Sequence, residues 1–487
     1  MSYSQIKQCG WFAQVRILFR WKLLILLVLC RPEIRAQTNV GATPNAVIET
    51  ITIEGNKKTR AATILRELKF AEGDSMPASA LPAMLESSRL LLLNLGIFTE
   101  ASISVAEWSG DGRVRVLIKV TEAWFVYPVP ILALSDRNFN VWWREFDRSL
   151  KRLNYGLDWT QLNLTGRSDA LKAKVQFGFT NSYEIAYRSP GLNRLRTLGI
   201  EGSLSYSRAH ELSYKTTGNK LDFLKVRESW QIEQVLASVT LISRPKLFQS
   251  QRFTLEYRDN TVSDTVAKVL NPDFFLNGQT RQRHFSAVYS IAFDYRDFRP
   301  YPQKGWRAVL EFRKNGLLPS DDLQLFRAFA EWDQYFRFSD RLSLELVGKL
   351  RTSLPRRKPP QSNNQALGYG SNLVRGYDYY VVDGLDFGVL RTSWHLRLFE
   401  GQFNMGRFMP VKAYRKLPIT VFFAVNNDIG WANDPHYAAT NPLSNRLLYG
   451  FGPGLDLLLY YDKSIRCEWT WNDLGEGAFF VRVNTGL

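Results

Sequence analysis

The sequence predicts a mainly β fold: an antiparallel transmembrane β-barrel of about 16 strands, preceded by one small β-α-α-β-β domain. Three observations carry that expectation. The N-terminus reads as an export signal. Residues 47–122 mix helical and strand periods in a short unit. From residue 124 to the end, segments of roughly ten residues alternate apolar and polar positions between turns.

The export signal comes first. Lys7, Arg16, Arg20 and Lys22 form a basic lead, and Leu23–Cys30 is a short apolar core. Ala36 is the expected last residue removed, giving a signal peptide over 1–36 and a polar linker over 37–46. Cys30 raises a lipid-anchor reading, but the preceding Leu29 is bulky where that signal wants a small residue. Cleavage removes Cys9 and Cys30 and leaves Cys467, so no internal disulfide framework is expected. It also removes six basic residues and one acidic residue, leaving +12 of the formal +17. The remaining charge is spread through alternating strands and not gathered in one basic arm. That pattern, with export, argues against nucleic acid and for an anionic lipid surface.

Composition agrees with a membrane barrel. Aromatic residues make up 14% of the chain, as expected where strands cross the two interfacial girdles. A mean hydropathy of −0.23 excludes a helical membrane bundle, and no apolar run long enough for a spanning helix follows residue 30.

Residues 47–123 form the small domain. "VIETITIEGN" alternates and stops at Gly55-Asn56. "TRAATILRELKF" reads as a short helix. In a second helix Leu81, Met84, Leu85, Ser88, Leu91, Leu92 and Leu95 share one face, and Gly96 stops it. Two strands follow, around 102–107 and 113–122, joined by the turn "SGDG". The second carries Arg113, Val114, Val116, Ile118 and Val120. This order, with "LGIFTEASISV" after the second helix, resembles a polypeptide-transport-associated (POTRA) domain, and the resemblance implies that this second strand is an edge for binding an extended client strand.

Residues 124–487 form the barrel. Leu171, Ala173, Val175, Phe177 and Phe179 alternate against Lys172, Lys174, Gln176 and Gly178. Ile465, Cys467, Trp469 and Trp471 alternate against Arg466, Glu468, Thr470 and Asn472. The same period recurs in "HFSAVYSIAFDY" (284–295). An open sheet of this size would expose edges that lipid cannot satisfy, so closure is expected.

Residues 355–386 break the pattern. The long "LPRRKPPQSNNQALGYG" leads to Val374, Arg375, Gly376 and Tyr377. Arginine cannot shed its charge, so a buried Arg375 must be paired. The glycines permit tight turns and the tyrosines can pack on a wall, which suggests a loop folding inward. "VRGY" in a long loop between late strands resembles the sixth-loop motif of the BamA/TamA outer-membrane assembly family, in its Bacteroidota-like branch. "FDYRDFRPYPQKGW" (293–306), "VFFAVNNDIGW" (421–431) and "LYGFGPGLDLLLYYDKSIRCEWTWN" (448–472) resemble further pieces of that family in the same order.

The resemblance implies an acidic partner for Arg375 on the inner wall. Asp428 fits best by position, with Asp456 and Glu468 as the other candidates; Asp428 also reads as the start of a turn at Gly430. It implies an outer-membrane location with the POTRA domain in the periplasm. Expected partners are unfolded outer-membrane or secreted protein clients, outer-membrane lipids, and periplasmic or lipoprotein accessory subunits. A secretion pore for one passenger and a passive porin are the rival readings. The ending "GEGAFFVRVNTGL" departs from the family's usual terminal strand, so an altered terminal signal is expected where the first and last strands meet.

No catalytic constellation is visible. His210, His284, His395 and His436 are scattered, and the sequence has no cysteine pair at metal-ligand spacing and no G-x-S-x-G elbow. "GFGPG" (450–454) lacks the GK[ST] of a phosphate loop and reads as a strand kink or close-packing site. No enzyme activity, metal or cofactor is expected.

Overall fold

The computed structural model describes residues 45–484 except 135–142, 144–147, 151–152, 194, 196, 227, 407–408, 410–414 and 461–462. The expected signal peptide, its cleavage site and Cys30 lie outside the described residues.

The N-terminal domain is a two-layer unit. Strands β1 (Asn45–Glu54), β2 (Ser75–Pro77), β3 (Phe98–Trp108) and β4 (Arg113–Glu122) form one sheet in the order β2-β1-β4-β3. β1 and β4 run parallel, and the other pairs are antiparallel. The helix Leu81–Leu93 turns Leu81, Leu85 and Leu92 toward the sheet, where they join the core of Ile48, Val116 and Ile118. The first helical stretch is regular only over Ala61–Leu65, because Phe70 enters the core from an angle that a continued helix would turn away.

One assignment is corrected here. β4 lies inside the sheet, hydrogen-bonded on both sides, and Val114, Val116, Ile118 and Val120 are buried in the core while Arg113 is exposed. A strand with apolar residues at every second position and two neighbours has no free backbone to offer. The free edges belong to β3 and to the three-residue β2.

The second unit is a 16-stranded meander. Its strands are β5 (Val126–Leu134), β6 (Leu153–Leu162), β7 (Ala170–Gly178), β8 (Thr180–Ser189), β9 (Leu198–Ala209), β12 (Ile232–Lys246), β13 (Gln249–Val262), β14 (Arg281–Asp294), β15 (Gly305–Asn315), β16 (Leu325–Arg337), β17 (Leu342–Leu354), β20 (Asp386–Asn404), β21 (Lys416–Asn433), β22 (Leu447–Leu459), β23 (Lys463–Asn472) and β24 (Gly477–Asn484). The hairpin β10 (Glu211–Thr217) and β11 (Lys220–Lys225) lies in the β9–β12 connection. The small pair β18 (Gln365–Leu367) and β19 (Val382–Asp383) lies in the β17–β20 loop. Every neighbouring pair is antiparallel, and among the described residues no register joins β5 to β24.

The period-2 rule sorts the side chains. On β22, Leu447, Tyr449, Phe451 and Leu455 face outward, whereas Leu448, Gly450, Gly452, Gly454 and Asp456 are buried inside. On β23, Trp469 and Trp471 face outward, and Glu468, Thr470 and Asn472 face inward. An apolar and aromatic outer surface around a polar interior is the signature of a barrel crossing lipid.

The N-terminal domain docks on the near-end turns of the barrel. Arg244 makes two hydrogen bonds to Glu67, at 2.5 and 2.8 Å. Thr63 Oγ1 donates to the Gly166 carbonyl at 2.9 Å, and Asn163 donates to Thr59 Oγ1 at 2.9 Å. At the far end the β10–β11 tip is tied to two other loops: Asn219 donates to the Val381 carbonyl and accepts from the Leu443 amide.

Candidate functional site: the inward loop and the glycine wall

The long loop between β17 and β20 folds into the barrel. Ala366, Leu367, Val374, Tyr377 and Val382 pack on Phe387, Val389, Ala432 and Leu448 of the wall. This apolar contact carries the loop's polar tip down to Asp428.

Arg375 is 2% exposed, and its side chain is held by hydrogen bonds and ion pairs to the wall. Nη1 donates to Asp428 Oδ1 at 3.1 Å and to Ser393 Oγ at 2.9 Å. Its backbone amide donates to Asp428 Oδ2 at 2.9 Å. Nε stands 3.1 Å from Glu468 Oε1, within ion-pair distance. Asp428 and Glu468 are as buried as the arginine. Burial on this scale is tolerable only because each charge is matched.

The network continues on both sides. Arg391 of β20 lies 3.6 Å from Asp428. Arg482 of β24 contacts both Glu468 and Asp378. Three arginines thus face three carboxylates, and the loop supplies one of each: Arg375 and Asp378. Beyond Asp378, the Tyr379 ring packs 5.5 Å from Phe480 of β24, and Tyr380 Oη donates to Glu476 at 2.8 Å. The loop therefore grips the last strand of the sheet as well as the wall behind it.

Backbone geometry explains the surrounding glycines. Gly376 has φ +86°, a left-handed conformation that favours glycine, and its carbonyl accepts from Asn472 Nδ2 at 2.9 Å. On β22, a β-carbon at Gly450 would collide with the Arg375 carbonyl. Of the "GFGPG" glycines, Gly450 makes room for the loop, whereas Gly452 lies against the backbone of β23 and Gly454 against Asn426 and Glu468.

The structure brings together Val374, Arg375, Gly376, Tyr377, Asp428 and Glu468 from the sequence expectation. It separates Asp456, which is corrected: this residue lies six positions beyond Gly450 toward the near end. It accepts instead from Tyr301 Oη at 3.0 Å and faces Arg466 at 3.4 Å. Ser393, Arg391, Asp378 and Arg482 were not foreseen. Alternation along β24 puts Arg482 on the inner face, but no local signal pairs it with Asp378.

Among the described residues no group of three or more His, Cys, Asp or Glu side chains is arranged to hold a metal ion.

Comparison with known proteins agrees with this geometry. An Omp85 superfamily domain model matches residues 163–385. A POTRA model, described as a surface antigen variable number repeat, matches residues 46–123. No curated protein matches the sequence. Among solved structures, BamA from Haemophilus ducreyi lacking POTRA domains 1-3 superposes with a TM-score of 0.50 at 14% identity, covering 90% of this chain and 84% of that one. CdiB from Escherichia coli superposes with a TM-score of 0.48 at 12% identity, covering 96% and 98%. At such identity the likeness concerns the fold alone. With the POTRA match and the Omp85 match in order along the chain, the second within the 16-stranded barrel, the chain carries an Omp85 superfamily domain behind a POTRA domain.

Proposed function

We propose that this protein inserts client β-strands into the outer membrane at the seam between β5 and β24. The observation that carries the reading is the sheet order: 16 strands in a meander whose first and last members share no register among the described residues. An unpaired strand edge in lipid is costly, so a weakly closed seam is a template for an incoming strand. Each added client strand keeps its backbone paired as it enters.

The remaining parts take roles in that scheme. The POTRA domain faces the periplasm and holds the client along the free edge of β3. The inward loop braces the β21–β23 wall through Arg375 and grips β24 through Asp378 and Tyr379, so the seam strand moves against a fixed support. Clients are unfolded outer-membrane or secreted proteins, with outer-membrane lipids and periplasmic or lipoprotein subunits as further partners. The work is physical templating and needs no catalytic group.

A secretion pore for one passenger is the competing reading. The loop packed inside the barrel favours the wall over the lumen as the working surface. The test is a disulfide lock: cysteine pairs scanned along β5 and β24 in a Cys467→Ser background. Locked protein should leave outer-membrane barrels unassembled after depletion of the wild type, and reductant should restore them. Normal assembly by the locked form would end the seam mechanism, and loss of one passenger alone would favour the pore.

A further inference from the structure

Toward its near end the polar interior carries a small apolar spot, apart from the patch under the long loop. Phe422 on β21 and Leu458 on β22 point inward and are buried. Both are covered by Tyr301, which comes from the turn between β14 and β15. Three strands, β16, β17 and β20, separate β15 from β21, so this turn must reach across the lumen.

Tyr301 is received by a matched site. Its ring lies 4.7 Å from the Phe422 ring at an interplanar angle of 24°. It meets the His395 ring edge-on at 5.6 Å. Its hydroxyl donates to Asp456 Oδ2 at 3.0 Å, and Asp456 is held in turn by Arg466 at 3.4 Å. Tyr301 and Arg466 thus converge on one oxygen of the buried carboxylate, and the phenol has both an apolar bed and an acceptor. A tyrosine satisfies both demands at once.

The root of the turn is equally fixed. Arg296 makes two hydrogen bonds to Asp294, at 2.8 and 3.0 Å, and Arg299 lies 2.9 Å from the same carboxylate. The POTRA domain grips the same turn. Asn94, the C-cap of the helix Leu81–Leu93, accepts from the Arg299 amide at 3.1 Å and donates to the Asp297 carbonyl at 3.5 Å. A continuous set of contacts therefore runs from a POTRA helix, through residues 297–301, to Asp456 on β22. Arg375 reaches that strand from the opposite end of the barrel.

We propose that Tyr301 is a positioning residue, a second peg that fixes the near-end halves of β21 and β22 and, through Asn94, ties their position to the POTRA domain. Movement of that domain pulls on the peg, so its placement reaches the wall without any lumenal ligand. The peg also obstructs the near-end mouth, because the turn crosses the lumen to deliver it. This inference rests on the barrel and its domain and not on client insertion, so the two stand or fall separately.

Single-channel recording of the purified full chain in planar lipid bilayers tests it. Tyr301→Phe keeps the ring stack and should raise the frequency of openings about tenfold, the factor expected for losing one buried hydrogen bond to a charged group. Tyr301→Ala loses the ring stack as well and should open more often still. Asn94→Ala touches no lumenal residue yet should shift openings in the same direction. The double variant should open no more often than Tyr301→Ala, because both act along one set of contacts. Wild-type openings in Tyr301→Ala would overturn the peg. A silent Asn94→Ala beside an opened Tyr301→Ala would overturn the tie to the POTRA domain. If Tyr301→Ala does not fold, Tyr301→Phe and Asn94→Ala carry the same comparison, and wild-type behaviour in both rejects the proposal.

Discussion

Gly450 has no side chain at the point where the Arg375 carbonyl crosses β22, and a β-carbon there would overlap that oxygen. The contact is backbone against backbone, so no rotamer change can relieve it. Gly450→Val should therefore expel the loop while leaving every charge in place. Trypsin is the probe: cleavage after Arg375 is expected in Gly450→Val and not in the wild type, where Arg375 is buried. Equal protection of both proteins would remove the close-packing role of this glycine.

The charge pairing makes a separate prediction. Arg375→Ala leaves Asp428 and Glu468 buried beside a missing cation, and should destabilise the barrel by about 3–5 kcal/mol. Asp428→Asn and Glu468→Gln should each destabilise as well, since Asp428 accepts from the Arg375 side chain and its amide, and Glu468 faces both Arg375 and Arg482. Lys268→Ala removes one partner of an exposed pair with Asp264 and should cost about 0–1 kcal/mol. Urea unfolding in detergent, followed by tryptophan fluorescence, gives the order. A ranking with Lys268→Ala at or above Arg375→Ala contradicts the pairing.

The loop should also respond to pH through Asp383. Burial pushes this carboxyl up to about 6, against the opposing pull of hydrogen bonds that include Tyr369 Oη at 2.7 Å. Its folded value lies above the unfolded value of about 3.9, so folding favours the protonated form. The resulting stabilisation is complete below about pH 4 and is lost as pH rises through about 6. Amide protection factors in residues 365–385, taken relative to the intrinsic exchange rate at each pH, should be higher at about pH 5 than at about pH 7.5. Asp383→Asn should flatten that difference; an unchanged slope would point to another group.

Client capture by the POTRA domain should follow the observed sheet order. A photo-crosslinking residue at Ser104, on the free strand β3, should trap unfolded barrel proteins. The same residue at Lys119, on the internal strand β4, should trap few or none. The reverse pattern would require the sheet to open before it binds.

The docking of the POTRA domain depends on the Arg244–Glu67 pair. Arg244→Met preserves length and loses both hydrogen bonds, leaving a largely buried carboxylate. The loosened domain should show a broadened distribution of spin-label distances to the barrel, with a cost of about 1–3 kcal/mol. An unchanged distribution would mean that the neighbouring contacts at Thr63 and Asn163 suffice.

Period and composition made much of the architecture legible. Alternation gave the strand faces, as on β22 and β23, because a strand places every second side chain on one side of the sheet. The leucine spacing of residues 81–92 gave the face of the long POTRA helix. Arg375 stood out because a permanent charge in a glycine- and tyrosine-rich loop needs a partner. The same local reading failed where neighbours matter. β4 has the alternation of an edge strand, but its parallel pairing with β1 spans more than 60 residues and has no local trace.

The sequence by itself determined which residues would form strands, which faces would meet lipid, and that one arginine, if buried, had to be matched. Tertiary structure alone decided which carboxylates would match it. Asp428, Asp456 and Glu468 all sit on inward-facing positions of neighbouring strands, and only strand stagger puts the first and third beside Arg375. The second meets Tyr301, from a turn more than 150 residues away. Side-chain direction follows from a period of two, which is written locally, whereas a pairing across a barrel depends on closure of the whole sheet.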